Sequence, residues 1–382
     1  MITATDHRNA EVSPSCLTVG ADEGGAEIVD RLSEEWRDLC DTAADDQPFY
    51  RPEWFRAHLR TFAPGATVVV VTARLQGRLC LVLPLLEERG TFGKFPLRKL
   101  RAPVNVHGGR FDAMRRAGAA GDAAILATWR YLKKLDSWDL LQLRDVPEGG
   151  TAGLLAAAAQ AEGFPTIQLP EKPNPYIRVP ADAGLLQQMP MNAKLRSQLR
   201  QARRKLSEQG SLKFYRVNRA DPDALERFYQ LEASGWKGEE GTAILRNGSR
   251  PFYDEVAQAA ARHGYFSLYM LEFNDELVAA HFSFTHGERC YSPIVTYNEN
   301  FKPYAPGHLI IGEILKDCAA RGIRAFDITG QDQPWKMKWT SELRGVNHHY
   351  VFKGARGNLA YAIGHGAQHR VTRWIAGKRS IA

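Results

Sequence analysis

The chain runs twice through one order of elements, and that order limits what it can fold into more than any other feature. A helical stripe of Ile28, Leu32, Trp36 and Leu39 and a second short helix at 52–62 give way to β-rich runs at 67–74 and 79–88, joined at Gln76-Gly77, with a further strand at 97–104. A helix at 122–135, a strand at 138–143, a helix at 151–162 and a strand at 165–169 close the first pass. Residues 170–190 then hold five prolines and read as a crossover. The second pass follows: a helix at 192–209, a strand at 212–217, helices at 222–235 and 251–263, and strands at 265–273, 277–285 and 288–296. A helix at 306–320, a strand at 323–328 and a last strand at 347–353 end it. The two passes share element order and no visible sequence repeat. The expectation is α/β (α+β): two tandem domains, each a mixed, largely antiparallel sheet flanked by helices. The boundaries read as a disordered tail at 1–25, domains at 26–180 and 181–353, and a basic amphipathic helix at 354–382.

A length of 382 residues suits two cores better than one. With 44% hydrophobic and 24% charged residues, the collagen-like, wholly disordered and disulfide-scaffold classes are excluded. The net charge of +7 favours anionic partners without choosing among coenzyme phosphates, nucleic acid and an acidic membrane surface. Cys16, Cys40, Cys80, Cys290 and Cys318 lie far apart, with no CxxC pair and no metal-ligand spacing, so no metal is expected and a reducing, cytoplasmic setting fits. The stretch 1–25 lacks the apolar core of a signal peptide, and no apolar run approaches the roughly 20 residues that span a bilayer.

Chemistry concentrates in two segments of the second pass. Lys302-Pro303-Tyr304-Ala305-Pro306-Gly307-His308-Leu309 leaves a strand and opens an amphipathic helix. A glycine there admits close approach of a bound group, and the N–H groups of a first helical turn suit a pyrophosphate. Pro-Gly also simply starts helices, so the segment alone does not decide. The second segment is Asp327-Ile328-Thr329-Gly330-Gln331-Asp332-Gln333-Pro334-Trp335-Lys336-Met337-Lys338-Trp339.

With these residues the sequence resembles the CelD-like acetyltransferases, a branch of the GNAT acyltransferases, and more distantly the Fem-type peptidyltransferases. The matching features are a strand ending in Asp327, then Gly330, Asp332, Trp335-Lys336 and Trp339. Upstream lie an arginine-rich helix (Arg196, Arg200, Arg203, Arg204) closed by Gly210, the run Gly235-Trp236-Lys237-Gly238, and the Pro306-Gly307 helix start. The resemblance covers residues 191–352; the first half matches in layout and in Pro48-Phe49-Tyr50-Arg51-Pro52-Glu53-Trp54. It implies two tandem GNAT domains and an acyl-CoA thioester lying between splayed strands, attacked directly by an amine. Tyr304, Ala305, Pro306, Gly307, His308 and Leu309 would then bind the acyl-CoA, with Trp236, Tyr291, Tyr297 and Trp335 toward the substrate.

Three side chains stand out for catalysis. Lys336 matches a lysine that in Fem-type enzymes is held to stabilise the oxyanion; a solvated surface lysine is the plain alternative. Asp327 either orients Lys336 or the amine, or caps its loop through Thr329 and Gly330. His281 sits opposite Val278, Ala280, Phe282 and Phe284 on an alternating strand, where it takes the amine proton or serves as a hydrogen-bonded structural histidine.

The expected activity is N-acylation of an amine on a small molecule, a sugar or a lipid-linked acceptor. Aminoacyl transfer from charged tRNA and a non-catalytic GNAT scaffold are the alternatives, and DNA is not expected as a partner. The first half lacks the Pro-Gly helix opening and the aromatic-Lys pair, so it reads as an acceptor pocket that does not bind CoA. The helix from Asn192 has a buried stripe of Leu195, Leu199, Ala202 and Leu206 and a basic remainder, which is a solvated face or an anion-binding one. Residues 356–379 place Leu359, Ile363, Ala367, Val371 and Trp374 on one stripe among basic residues, which fits peripheral contact with the inner membrane face or docking onto the protein itself.

Overall fold

The computed structural model describes residues 16–181, 191–235, 238 and 240–364. The chain divides into two compact units: Met1–Leu59, Pro64–Glu171 and Asn347–Ala382 in one, Arg60–Ala63 and Lys172–Val346 in the other.

In the first unit, β2 (Val68–Leu75) and β3 (Arg78–Phe92) form the expected hairpin, with Gln76 and Gly77 both at positive φ, 50° and 79°. Two such residues match the right-handed twist of the flanking strands. β4 (Phe95–Arg101) pairs antiparallel with β3, β6 (Leu140–Pro147) runs parallel to β4, and a short β5 (Met114–Arg115) pairs with β3. Helices α1 (Glu27–Cys40), α3 (Ala119–Leu132) and α4 (Thr151–Ala161) belong to this unit, and α2 (Pro52–Phe62) begins in it. Trp129, Trp138, Leu141, Leu155 and the inward side chains of β2 and β3 make its core.

Three expectations are corrected here. Residues 17–24, assigned to a disordered tail, form β1 (Leu17–Gly24), paired antiparallel with β2 along its whole length. Only Leu17, Val19 and Ala21 alternate inward, partly buried against the core, too short an alternation to read as a strand beside Gly20, Asp22 and Glu23. The strand at 165–169 extends as β7 (Thr166–Arg178) through Pro170, Pro173 and Pro175, so those prolines do not break it, and the unit boundary falls at 171 and not at 180. The final strand is β13 (Leu343–Phe352); from Asn347 onward it belongs to the first unit, not the second. Val351 lies in the core with Trp129, and Phe352 packs with Leu97, Leu140 and Ile167. Residues 354–364 are helical, with Leu359 and Ile363 exposed; the rest of the expected amphipathic helix lies outside the described residues. Among the described residues no helix is long and apolar enough to cross a membrane.

The second unit carries β8 (Leu212–Val217), β9 (Phe266–Phe273), β10 (Glu276–His286), β11 (Arg289–Tyr297) and β12 (Ala325–Asp327), in the order β7-β12-β11-β10-β9-β8. All these pairings are antiparallel except β11 with β12. Helix α5 (Ala193–Gln209) is capped by the Asn192 side chain, which accepts from Lys194 N–H, and buries Leu195, Leu199, Ala202 and Leu206 as expected. Each leucine so buried contributes about 1.5–3 kcal/mol. α8 (Pro306–Ala320) packs into the same cluster through Leu309, Ile310, Ile314 and Leu315. Part of the basic face of α5 is paired locally: Arg203 bonds Glu313, and Arg204 lies 3.7 Å from Glu208. Phe282 of β10 packs instead against Phe228 of α6 (Pro222–Ala233) and Tyr253 of α7 (Arg250–Arg262).

Candidate functional site

β11 and β12 pair over only three positions, Arg289↔Ala325, Cys290↔Phe326 and Tyr291↔Asp327. Past that point the chains separate around a cavity of about 1020 Å³. Opposite β10, the register slips between Phe282↔Ile294 and Phe284↔Tyr291, which sets Ser292 and Pro293 against the single residue Ser283. This is a β-bulge, the device that bends a strand and re-aims its side chains. Ser292, Pro293 and Tyr297 line the cavity on this wall, and Thr329 and Gly330 line it from the chain beyond β12.

The N-terminus of α8 closes one end of the wedge. Ala305 takes a left-handed conformation at φ 50°, Pro306 occupies the first turn, and no side chain caps the helix. Pro306 has no N–H, and the His308 and Leu309 N–H groups both bond the Ala305 carbonyl at 3.0 Å, so in this turn the Gly307 N–H is left without a backbone partner among the described residues, at the cavity wall that Ala305, Pro306, Gly307 and His308 line. Gly307 sits close to its neighbour: a Cβ there would lie 3.2 Å from Tyr297 Cδ1, so the ring would have to shift by a few tenths of an ångström. His308 Nδ1 accepts the indole N–H of Trp339 at 2.9 Å. Burial, with the nearby charge of Lys338, pushes the His308 pKa down to about 4, so the ring is neutral near pH 7.

The loop after β12 is folded around its own polar groups. Asp327 Oδ1 accepts Thr329 N–H at 2.9 Å, and Thr329 and Gly330 both turn through positive φ, 49° and 57°. This turn aims the Thr329 carbonyl at Lys336, whose Nζ donates to it at 2.6 Å. Lys336 is only 6% exposed, its Nζ sits 5.5 Å from the Trp335 ring centroid, and both residues line the cavity. A lysine so enclosed is not a solvated surface side chain. Thr329 Oγ1 donates to the Ser292 carbonyl at 3.3 Å, tying the two walls together.

The cavity thus gathers Ala305, Pro306, Gly307, His308, Tyr297, Trp335 and Lys336 from the expected set. The others sit elsewhere. Asp327 is buried behind the loop that it holds, Tyr291 is buried in the sheet, and Leu309 faces the core. The Tyr304 hydroxyl donates to Gln209 Oε1 at 3.1 Å. His281 is walled off from the cavity and meets it through Ser292, whose Oγ lies 2.8 Å from Nδ1. Trp236 lies outside the described residues. Sequence reasoning missed Ser292, Thr329 and Glu232. Glu232 is 3% exposed, lines the cavity and accepts Ile244 N–H at 2.9 Å, a placement that its helical spacing alone does not reveal. Among the described residues no group of three or more His, Cys, Asp or Glu side chains is placed to hold a metal ion.

Residues 193–337, all within the second unit, match the acetyltransferase (GNAT) domain family. The second unit is a GNAT acyltransferase domain. Solved structures share the fold over most of the chain. FemX aligns with a TM-score of 0.58 at 12% identity, over 87% of this chain and 98% of that one. A conserved protein from Bacteroides thetaiotaomicron aligns at 0.54 and 10% identity, over 88% and 100%. The C-terminal domain of a protein described as a lysylphosphatidylglycerol synthetase, from Agrobacterium fabrum, aligns at 0.52 and 12% identity, over 88% and 95%. No curated protein matches the sequence. The wedge between β11 and β12 and the uncapped N-terminus of α8 both lie inside the GNAT segment.

Proposed function

We propose that the GNAT domain moves an acyl group from a coenzyme A thioester to a primary amine by direct attack. The observation that carries this reading is the shared cavity of Gly307 and Lys336. One end offers the Gly307 N–H and the positive end of a helix dipole, suited to a diphosphate; the other offers a buried lysine, suited to charge developing on a carbonyl oxygen. In the step itself the amine nitrogen bonds to the thioester carbon as the carbonyl oxygen takes up the electron pair. Collapse breaks the C–S bond, and the proton shed by nitrogen reaches the departing sulfur through solvent, so CoA leaves as the thiol. The chain supplies proximity and an electrostatic partner for the oxygen. A thiol pKa of about 8.5 makes the sulfur a good leaving group without a dedicated acid.

The narrower resemblance to CelD-like acetyltransferases rests on the motif from Asp327 to Trp339. FemX and the lysylphosphatidylglycerol synthetase domain share the fold, so a lipid-linked or cell-wall amine joins small molecules and sugars as the acceptor class. A thiol-release assay with acetyl-CoA and longer acyl-CoAs against a panel of amines tests the reading. Amine-dependent CoA release supports it. Silence with every acyl-CoA, together with transfer from charged tRNA, refutes the donor.

A further inference from the structure

Nε2 of His281 is buried with no hydrogen-bond partner among the described residues. The ring is 1% exposed and lies 6.3 Å from the Phe326 ring, while Nδ1 is 2.8 Å from Ser292 Oγ. Two neutral tautomers fit this geometry. With the proton on Nε2, a buried N–H would have no acceptor; with it on Nδ1, only a lone pair is left bare. Orphaned buried N–H groups are rarer than under-used acceptors, so the proton belongs on Nδ1 and is donated to Ser292. Burial pushes the His281 pKa down to about 3, so one nitrogen alone carries a proton at neutral pH.

Ser292 Oγ also accepts from Ser283 Oγ at 3.2 Å. A hydroxyl has two acceptor lone pairs and one proton to give. With His281 and Ser283 filling both lone pairs, the Ser292 proton is left for a third partner, and Ser292 lines the cavity. Its neighbour Pro293 also lines the cavity and has no N–H, so the backbone offers no donor at that point of the bulge.

We infer that the Ser292 hydroxyl donates to the acyl carbonyl oxygen, as a second donor beside Lys336, with His281 as the positioning residue that holds it in that orientation and not as a base. Thr329 links the two donors, bonding Lys336 Nζ through its carbonyl and the Ser292 carbonyl through its hydroxyl. As the amine attacks, the Ser292 proton stays on its oxygen and the hydrogen bond strengthens with the charge on the carbonyl oxygen. The assignment rests on the acyl-thioester reading above.

Removing one such donor costs about 10²-fold in turnover, so Ser292→Ala should lose about that much kcat at unchanged affinity for free CoA, and Ser292→Thr should keep most of it. His281→Asn separates the two roles of the histidine, because its amide N–H replaces Nδ1–H and carries no titratable nitrogen. Retained activity in His281→Asn with loss in His281→Leu supports positioning; equal loss in both overturns it. A measurement without turnover uses acetyl-CoA labelled with carbon-13 at the carbonyl. Its infrared stretch, lowered on binding to the wild type, should move back up in Ser292→Ala. An identical stretch in both proteins overturns the Ser292 assignment alone. Absence of acetyl-CoA binding by the wild type overturns the donor reading and this assignment with it.

Discussion

Trp339 donates its indole N–H to Nδ1 of His308 across 2.9 Å, and this one bond fixes the tautomer of a cavity histidine. Indole only donates, so Nδ1 must accept and the His308 proton sits on Nε2. A doubly protonated His308 has no acceptor to offer Trp339, so acid breaks the contact. The folded-state pKa, about 4 against an ordinary 6.5, sets the window. Between those values the unfolded chain binds the proton that the folded chain refuses, so stability rises with pH there and is lost as pH falls from 6.5 toward 4. Urea unfolding at pH 7 and pH 5 should show the wild type losing on the order of 2 kcal/mol more than His308→Asn, whose amide oxygen accepts from Trp339 without titrating.

Gly330 has φ 57°, and a Cβ there would stand 3.3 Å from Lys336 Nζ. Gly322 has φ 73° with nothing within 4 Å. Alanine at either site costs about 1–2 kcal/mol of backbone strain. Comparable losses of melting temperature are expected from Gly330→Ala and Gly322→Ala, with turnover reduced in Gly330→Ala alone because only there is the lysine displaced.

Lys336→Ala should lower kcat by roughly tenfold or more while CoA affinity stays within a few-fold, the pattern of a group that acts on the transition state. Steady-state kinetics beside calorimetric CoA titration separates the two. A weakened CoA affinity with kcat intact would make Lys336 a binding residue.

Phe352 is fully buried, packing with Leu97, Leu140 and Ile167 in the first unit. Phe352→Ala should cost about 3–5 kcal/mol there. Proteolysis should then cut within the first unit before the second. Preferential cutting within 172–346 would contradict the assignment of this strand.

What the sequence revealed follows from how local each signal is. The helix at 306–320 and the strand at 212–217 match their observed bounds, since Pro306 starts one and the β-favouring residues Phe214, Tyr215 and Val217 mark the other. The join of Gly307 and Lys336 in one cavity was legible only through the family motif. Ser292 was not, because its position depends on a bulge set by the pairing of β10 with β11. The same limit hid β1, a strand with three partly buried inward residues, and the home of β13, since apolar alternation shows that a strand is buried without saying in which core.

Hydrogen–deuterium exchange with and without CoA tests the location of the donor site most directly. CoA should slow exchange in peptides covering 305–309 at the start of α8 and 328–336 in the loop that carries Lys336, with acetyl-CoA adding protection around Ser292. Bound CoA that leaves both segments unchanged, or protects only peptides of the first unit, would contradict the proposed site.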